Sequence, residues 1–331
     1  MTSSEARHPK GSRKFLWLTV FIVLLFGGYS AGWFYVADRV KAEVVSAVAR
    51  MNRGDVRVEC DNPQVGGFPF RIGVSCDHLG YEDGSRQLQA SASGFRSLAQ
   101  VYQPTRALAE LDGPLHLSAP GLGSIRLDWD RLRASVRIAT PLPERVSVEA
   151  EGLKGTSEAS GSAGSPLFAA ARTDGHLRPN GADIDWAGSF VGLTVDPGVV
   201  DGRILPTMDG SGEATVKDGV ALLRSRPKSL RGQAVDIAAL NLASGEAAVS
   251  IRGPVSVAED GLIDADLVVT VSNPMAVADV LATAFPERQG PIRQGFMGLS
   301  LLGNEPSMPL KIVRGKATLG FIPLGDIRPV K

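Results

Sequence analysis

RLRASVRI (residues 131–138) alternates Leu132, Ala134, Val136 and Ile138 with Arg131, Arg133, Ser135 and Arg137. Successive side chains of a strand point to opposite faces, so this period of two predicts a half-buried β-strand with one dry side and one wet side. IRLDWD (125–130) repeats the arrangement, with Ile125, Leu127 and Trp129 against Arg126, Asp128 and Asp130. So does LIDADLVVTV (262–271), where Ile263, Ala265, Leu267, Val269 and Val271 alternate with Asp264 and Asp266. Asp112-Gly113, Asn180-Gly181, Asp209-Gly210, Asp218-Gly219 and Asp260-Gly261 punctuate these runs as turns. The expectation is a mainly β chain built as a long antiparallel sheet or meander.

Working outward toward the N-terminus, the period of two holds back to Val56 and changes before it. ADRVKAEVVSAVARM (37–51) repeats Val40, Val44 and Val48 every four residues and predicts a helical stem. Before it, FLWLTVFIVLLFGGYSAGWFYV (15–36) carries no charge. At about 1.5 Å per residue it reaches roughly 33 Å, enough to cross a hydrocarbon core of about 30 Å. Arg7, Lys10, Arg13 and Lys14 crowd its N-terminal side against Glu5 alone. The positive-inside rule then leaves residues 1–14 as a cytoplasmic tail and sends residues 52–331 out of the cytoplasm. Trp33, Phe34 and Tyr35 suit an aromatic belt at the far interface. A cleaved signal peptide is the rival reading, but the apolar run continues past a signal core. GYSAG (28–32) matches a nucleophile elbow in letters only, because Ser30 falls in a membrane helix. Gly28 and Gly32 also read as G-x-x-x-G, a candidate contact for a second copy of the helix.

Toward the C-terminus, EGLKGTSEASGSAGS (151–165) loses apolar periodicity and marks a candidate loop boundary, with one sheet running through it as the alternative. SNPMAVADVLATAF (272–285) predicts a helix, with Asn273 as cap, Pro274 in the first turn, and Val277, Val280, Leu281 and Phe285 as its apolar stripe. GPIRQGFMGLSLLG (290–303) predicts a second. Both are expected to pack on the sheet, which a final hairpin in residues 310–327 would close.

With 331 residues and 35 basic against 35 acidic side chains, the chain lacks the basic stripe of a nucleic-acid binder. Cys60 and Cys76 are its only cysteines, and in an exported body they are expected to form a structural disulfide. His78 is too little to turn them into a zinc site. His8, His116 and His176 are isolated. Asp128/Asp130, Asp183/Asp185 and Asp264/Asp266 are D-x-D pairs that alternate with apolar residues, and they read as a solvated outer face. No P-loop, H-E-x-x-H or dinucleotide fingerprint occurs, so no catalytic, cofactor-binding or metal residue is assigned and the chain is expected not to be an enzyme.

The cysteines bracket VRVECDNPQVGGFPFRIGVSC (56–76), expected to be the first hairpin. Gly66 and Gly67 would make its turn and Pro69 would hold the next segment extended at a sheet edge. Of Phe68 and Phe70, one should pack on the stem helix. Arg71 and Phe68 are candidate head-group or partner contacts. Ile125, Leu127, Leu132, Ala134, Val136 and Ile138 are candidate groove-lining residues, with ordinary core as their other reading.

The order of a basic N-terminus, the FLWL…GGYSAGWFYVA segment, ECDN…GFPFRIGVSCD, GPLHLSAPG, LDWDRLRASVRI and GKATLGFIPLG resembles domain-of-unknown-function family 2125 of Gram-negative bacteria over most of the chain. Cys60, residues 67–71, Cys76, Asp128-Trp129-Asp130 and residues 320–324 carry the likeness. More distantly, an anchor, a stem helix and a GFPFR-type β element resemble AsmA-like envelope proteins, whose long curved sheets are associated with lipid transport and outer-membrane assembly. The resemblance implies a bacterial inner-membrane location with a periplasmic body. With the catalytic motifs absent, the leading expectation is non-catalytic work in the envelope with phospholipid along an apolar groove, and the alternative is scaffolding of another envelope protein through exposed sheet edges or helix faces. A periplasmic hydrolase without a recognisable signature is a third reading.

Overall fold

The computed structural model describes residues 12–158, 164–225, 229–320 and 322–330. The basic tail with Arg7, His8 and Lys10, as well as Phe321 and Lys331, lies outside the described residues. Span and stem form one uninterrupted helix, α1 (Ser12–Met51), long and apolar enough to cross a membrane. Inside it the Ser30 hydroxyl donates to the Phe26 carbonyl at 2.8 Å, a helical back-bond that leaves no elbow. Nothing within 4 Å occupies the space a side chain would take at Gly28 or Gly32.

Nine strands follow: β1 (Val56–Cys60), β2 (Gln64–Gly66), β3 (Arg71–Cys76), β4 (Leu79–Asp83), β5 (Leu88–Gln100), β6 (Gln103–Ala119), β7 (Gly123–Asp128), β8 (Arg131–Arg137) and β9 (Arg145–Ser157). Then come β10 (Ser165–Asn180), β11 (Asp183–Val195), β12 (Met208–Val216), the short helix α2 (Gly219–Ser225), β13 (Ala234–Ser244), β14 (Ala247–Val257) and β15 (Ile263–Ser272). The chain closes with α3 (Pro274–Ala284), α4 (Gln289–Ser300), β16 (Ser307–Val313), β17 (Lys316–Leu319) and β18 (Ile322–Asp326). Among the described residues all 18 strands belong to one sheet, and every pairing is antiparallel.

The mainly β architecture with C-terminal helices agrees with the sequence. Several details differ. Of the described part of the Gly/Ser-rich stretch, residues 151–157 belong to β9 and Ser165 opens β10, where it pairs with Ser157, as in the alternative of one sheet running through. The turn pattern did not announce α2. The tail makes two turns, β16–β17 and β17–β18, where one hairpin was expected.

Asn273 caps α3 by accepting from the Ala276 amide, and the predicted stripe then lands on the sheet. Val277 packs with Ala247 and Val271, flanked by Val249, Val269, Val280, Leu281 and Leu299. Elsewhere the buried hydrophobic set consists largely of alanines, and Pro274 is the one large side chain under 2% exposure among the described residues. A sheet this long with so few deeply buried large side chains has, over much of its area, no second layer.

Candidate functional site

The site begins where the sheet meets α1. The first hairpin is β2–β3, with Gly66 paired to Gly73 inside it and Gly67 to Phe70 as its turn. β1 pairs with β4 instead. Gly67 has φ +109°, and a Cβ there would stand 2.8 Å from the Arg71 carbonyl oxygen, so only glycine fits. Pro69 therefore sits in the turn and not in an extended edge strand. Phe68 packs on Trp33 and Phe34, with ring centroids 5.4 and 5.6 Å away. Those residues belong to the C-terminal end of the apolar segment, so the expected contact with the 37–51 stem is corrected. Trp33 also donates its indole N–H to the Arg71 carbonyl at 3.0 Å, and the Tyr29 hydroxyl donates to the Pro69 carbonyl. Trp33 and Ala37 are buried as a result, which removes Trp33 from a lipid-facing aromatic belt. Cys60 and Cys76 are disulfide-bonded with Cα atoms 5.3 Å apart, stapling β1 to the end of β3.

From β6 onward one face of the sheet is apolar in row after row. Ala107 stands opposite Val136, Val136 opposite Val146, Val146 opposite Leu177 and Leu177 opposite Trp186. The row continues through Ala214 and Ile237 to Gly253. The next row runs Ala134, Val148, Gly175, Gly188, Gly212, Leu240, Ile251, Val269 and Met308. No charged side chain interrupts either. Leu177, Trp186 and Leu240 are 44%, 39% and 43% exposed, so the face is open here. Its glycines have a physical purpose. A Cβ at Gly212 would come 2.8 Å from the Trp186 ring and one at Gly210 would come 2.3 Å from Phe190, so the rings lie down on the sheet. Helix α3 covers the face over β14 and β15. Beside Val146 and Leu177, the α2 residues Leu222 and Leu223 together with Leu142, Pro143 and Ile184 line an apolar cavity of about 200 Å³ that stays open to solvent.

Of the expected groove residues, Leu132, Ala134 and Val136 lie on this face. Ile138 lies just past β8, exposed, with its amide bonded to the Thr105 carbonyl. Ile125 and Leu127 are not brought to them. The strand breaks at Trp129 and Asp130, and within β7 Ile125 pairs with Leu117 and Leu127 with Leu115 in a separate stretch of the sheet. Sequence reasoning missed Leu177, Trp186 and Leu240, although each sits in a readable alternation.

The polar residues pair among themselves. Asp128 is gripped by Arg126 at 2.9 Å, Asp185 by Arg178 and the Thr215 hydroxyl at 2.9 Å each, and Asp183 by Lys217 at 3.0 Å. Hydrogen bonds from these donors hold all three carboxyls below the usual carboxylate range. Asp264 accepts from the Arg314 amide. His116 faces Glu158 at 3.0 Å beside a polar cavity of about 370 Å³, which His78, Ser118 and Ser124 also line. The Ser124 hydroxyl points to Ser118 at 3.3 Å, and no serine–histidine bond occurs among the described residues.

The family model described as "Uncharacterized protein conserved in bacteria (DUF2125)" matches residues 33–328, a stretch that begins at the docked Trp33. No curated protein matches the chain.

Proposed function

Since the chain belongs to this family of uncharacterised bacterial proteins, DUF2125, we propose that it is a non-catalytic, single-pass protein of the cell envelope that holds lipid acyl chains against the open apolar face of its sheet. The observation that carries this reading is the unbroken row from Ala107 to Gly253. At about 4.8 Å per strand it extends roughly 34 Å. Half of a bilayer's hydrocarbon core is only about 15 Å deep, so the row is long enough for a whole acyl chain. Each methylene removed from water contributes about 0.8 kcal/mol, and a flat face with rings laid on glycines accepts a chain without a shaped pocket. The α1 helix delivers the protein to a membrane, and Arg13 and Lys14 at its start favour a cytoplasmic N-terminus. A disulfide between Cys60 and Cys76 suits an oxidising compartment such as the periplasm.

The test uses the full chain reconstituted with a phospholipid carrying a photoreactive group near its acyl terminus. Adducts are expected on peptides containing Leu177, Trp186 and Leu240, and Leu177→Asn with Leu240→Asn should reduce them at least fivefold. Adducts confined to α1 would sink the reading. Stoichiometric crosslinking of a protein over the same face would replace it with scaffolding.

A further inference from the structure

The opposite face carries an arrangement that folding alone does not favour. Arg106 stands directly opposite Arg137, and Arg137 directly opposite Arg145. The pairing of Val146 with Leu177 sets Arg178 beside Arg145, and the four arginines line one cavity of about 350 Å³. Like charges directly across a sheet are destabilising. Among the described residues only two carboxylates answer them: Glu144 reaches Arg137 at 3.4 Å and Asp185 reaches Arg178 at 2.9 Å. On β3, Arg71 lies opposite Gln100 at the same end of the sheet. Among the described residues the side chains of Arg71, Arg106 and Arg145 make no hydrogen bond or ion pair.

Position supplies the second observation. The turn that leads into Arg71 is bonded to Tyr29 and Trp33 of α1. Counting about 1.5 Å per residue from Phe15, Trp33 lies roughly 27 Å along a span that must cross about 30 Å of hydrocarbon, so the turn stands at the bilayer boundary. One step beyond the arginines come exposed apolar tips. The Val101 amide bonds to the Phe70 carbonyl at 3.0 Å, and Phe70 and the neighbouring Tyr102 are 67% and 71% exposed, with Ile138 exposed beyond Arg137. Apolar tips outermost with cations one layer behind match an interface, where apolar groups enter the acyl boundary and arginines meet phosphates.

We infer that this end of the sheet, with Arg71, Arg106, Arg137, Arg145 and Arg178, is a docking rim for the anionic phospholipid headgroups of the bilayer that α1 crosses. The rim and the acyl-binding face are on opposite sides of the sheet and stand or fall separately.

The full chain is placed in nanodiscs of phosphatidylcholine containing a minority of phosphatidylglycerol. The lipid retained by the protein is then counted by native mass spectrometry. Retained lipid should be enriched in phosphatidylglycerol, and Arg106→Gln with Arg145→Gln should lower the enrichment by about fivefold for each arginine removed. Arg131→Gln with Arg133→Gln removes the same charge from ion-paired positions farther up β8 and should leave the enrichment unchanged. On the unmodified protein, raising salt from 0.05 to 0.5 M should abolish the enrichment. Equal loss in both variants, no enrichment at low salt, or enrichment indifferent to salt would each overturn the assignment. Loss of acyl adducts in Leu177→Asn with Leu240→Asn should leave headgroup selectivity intact.

Discussion

A methyl group at position 67 would meet the Arg71 carbonyl at 2.8 Å while the backbone sits at φ +109°, so the first turn of the sheet depends on glycine twice over. Gly67→Ala is expected to destabilise the fold by about 1–3 kcal/mol, read as a lower thermal midpoint. Because the same turn presents Phe68 to Trp33, the variant should also raise solvent access to the Trp33 indole. An unchanged midpoint would mean the turn relaxes freely. Gly212 makes a different demand: its φ is ordinary, but the Trp186 ring fills the space above it. Gly212→Val should lift that ring off the sheet, shift its fluorescence to the red and weaken acyl-chain labelling, at a cost of about 1–3 kcal/mol from overpacking.

Among the elements, β10, β11 and β12 share a polar network that gives the protein an acid limit. Asp183 is held low by Lys217 and the Asp218 amide, and Asp185 by the Thr215 hydroxyl and Arg178. A folded pKa below the unfolded value means the stabilisation is complete above about pH 4 and is lost as pH falls through the folded values. The thermal midpoint should therefore be flat from about pH 7 to 5 and drop below about pH 4, less steeply in Asp183→Asn with Asp185→Asn. An equal slope in that variant would assign the acid limit elsewhere. The disulfide closes a loop of sequence separation 16, and replacing both cysteines by serine should cost about 3 kcal/mol in denaturant melts. These elements were partly legible in the sequence. Alternation announced β8 and β15, and Asn273-Pro274 announced α3, because both signals are local. Helix α2 was hidden because seven residues give too little periodicity to read. The break at Trp129 and Asp130 was hidden because alternation on either side looks continuous across it.

On the scale of the whole molecule, cross-strand register decides the site, and register is not written locally. Arg106, Arg137, Arg145 and Arg178 lie far apart in the chain and become neighbours only once β6, β8, β9 and β10 align. The same holds for Leu177, Trp186 and Leu240, so the sequence could expose an apolar face but not its extent. Since most of the sheet is a single uncovered layer, amide hydrogen exchange in β9 to β13 should be faster than under α3 in β14 and β15, and acyl ligand should slow it selectively. Uniform protection would point to a covering that α3 does not explain. The single helix α1 has a mechanical consequence. It is fastened to the sheet at Tyr29 and Trp33 and again where Asn52 bonds Val58, points about 35 Å apart along the helix. A body hung on a flexible tether sweeps a hemisphere above its membrane, whereas this one stands on a rigid strut. Its reach from the bilayer and the bearing of its apolar face are set by construction, so under the proposed lipid-holding role a donor or acceptor would have to come to that height and that side.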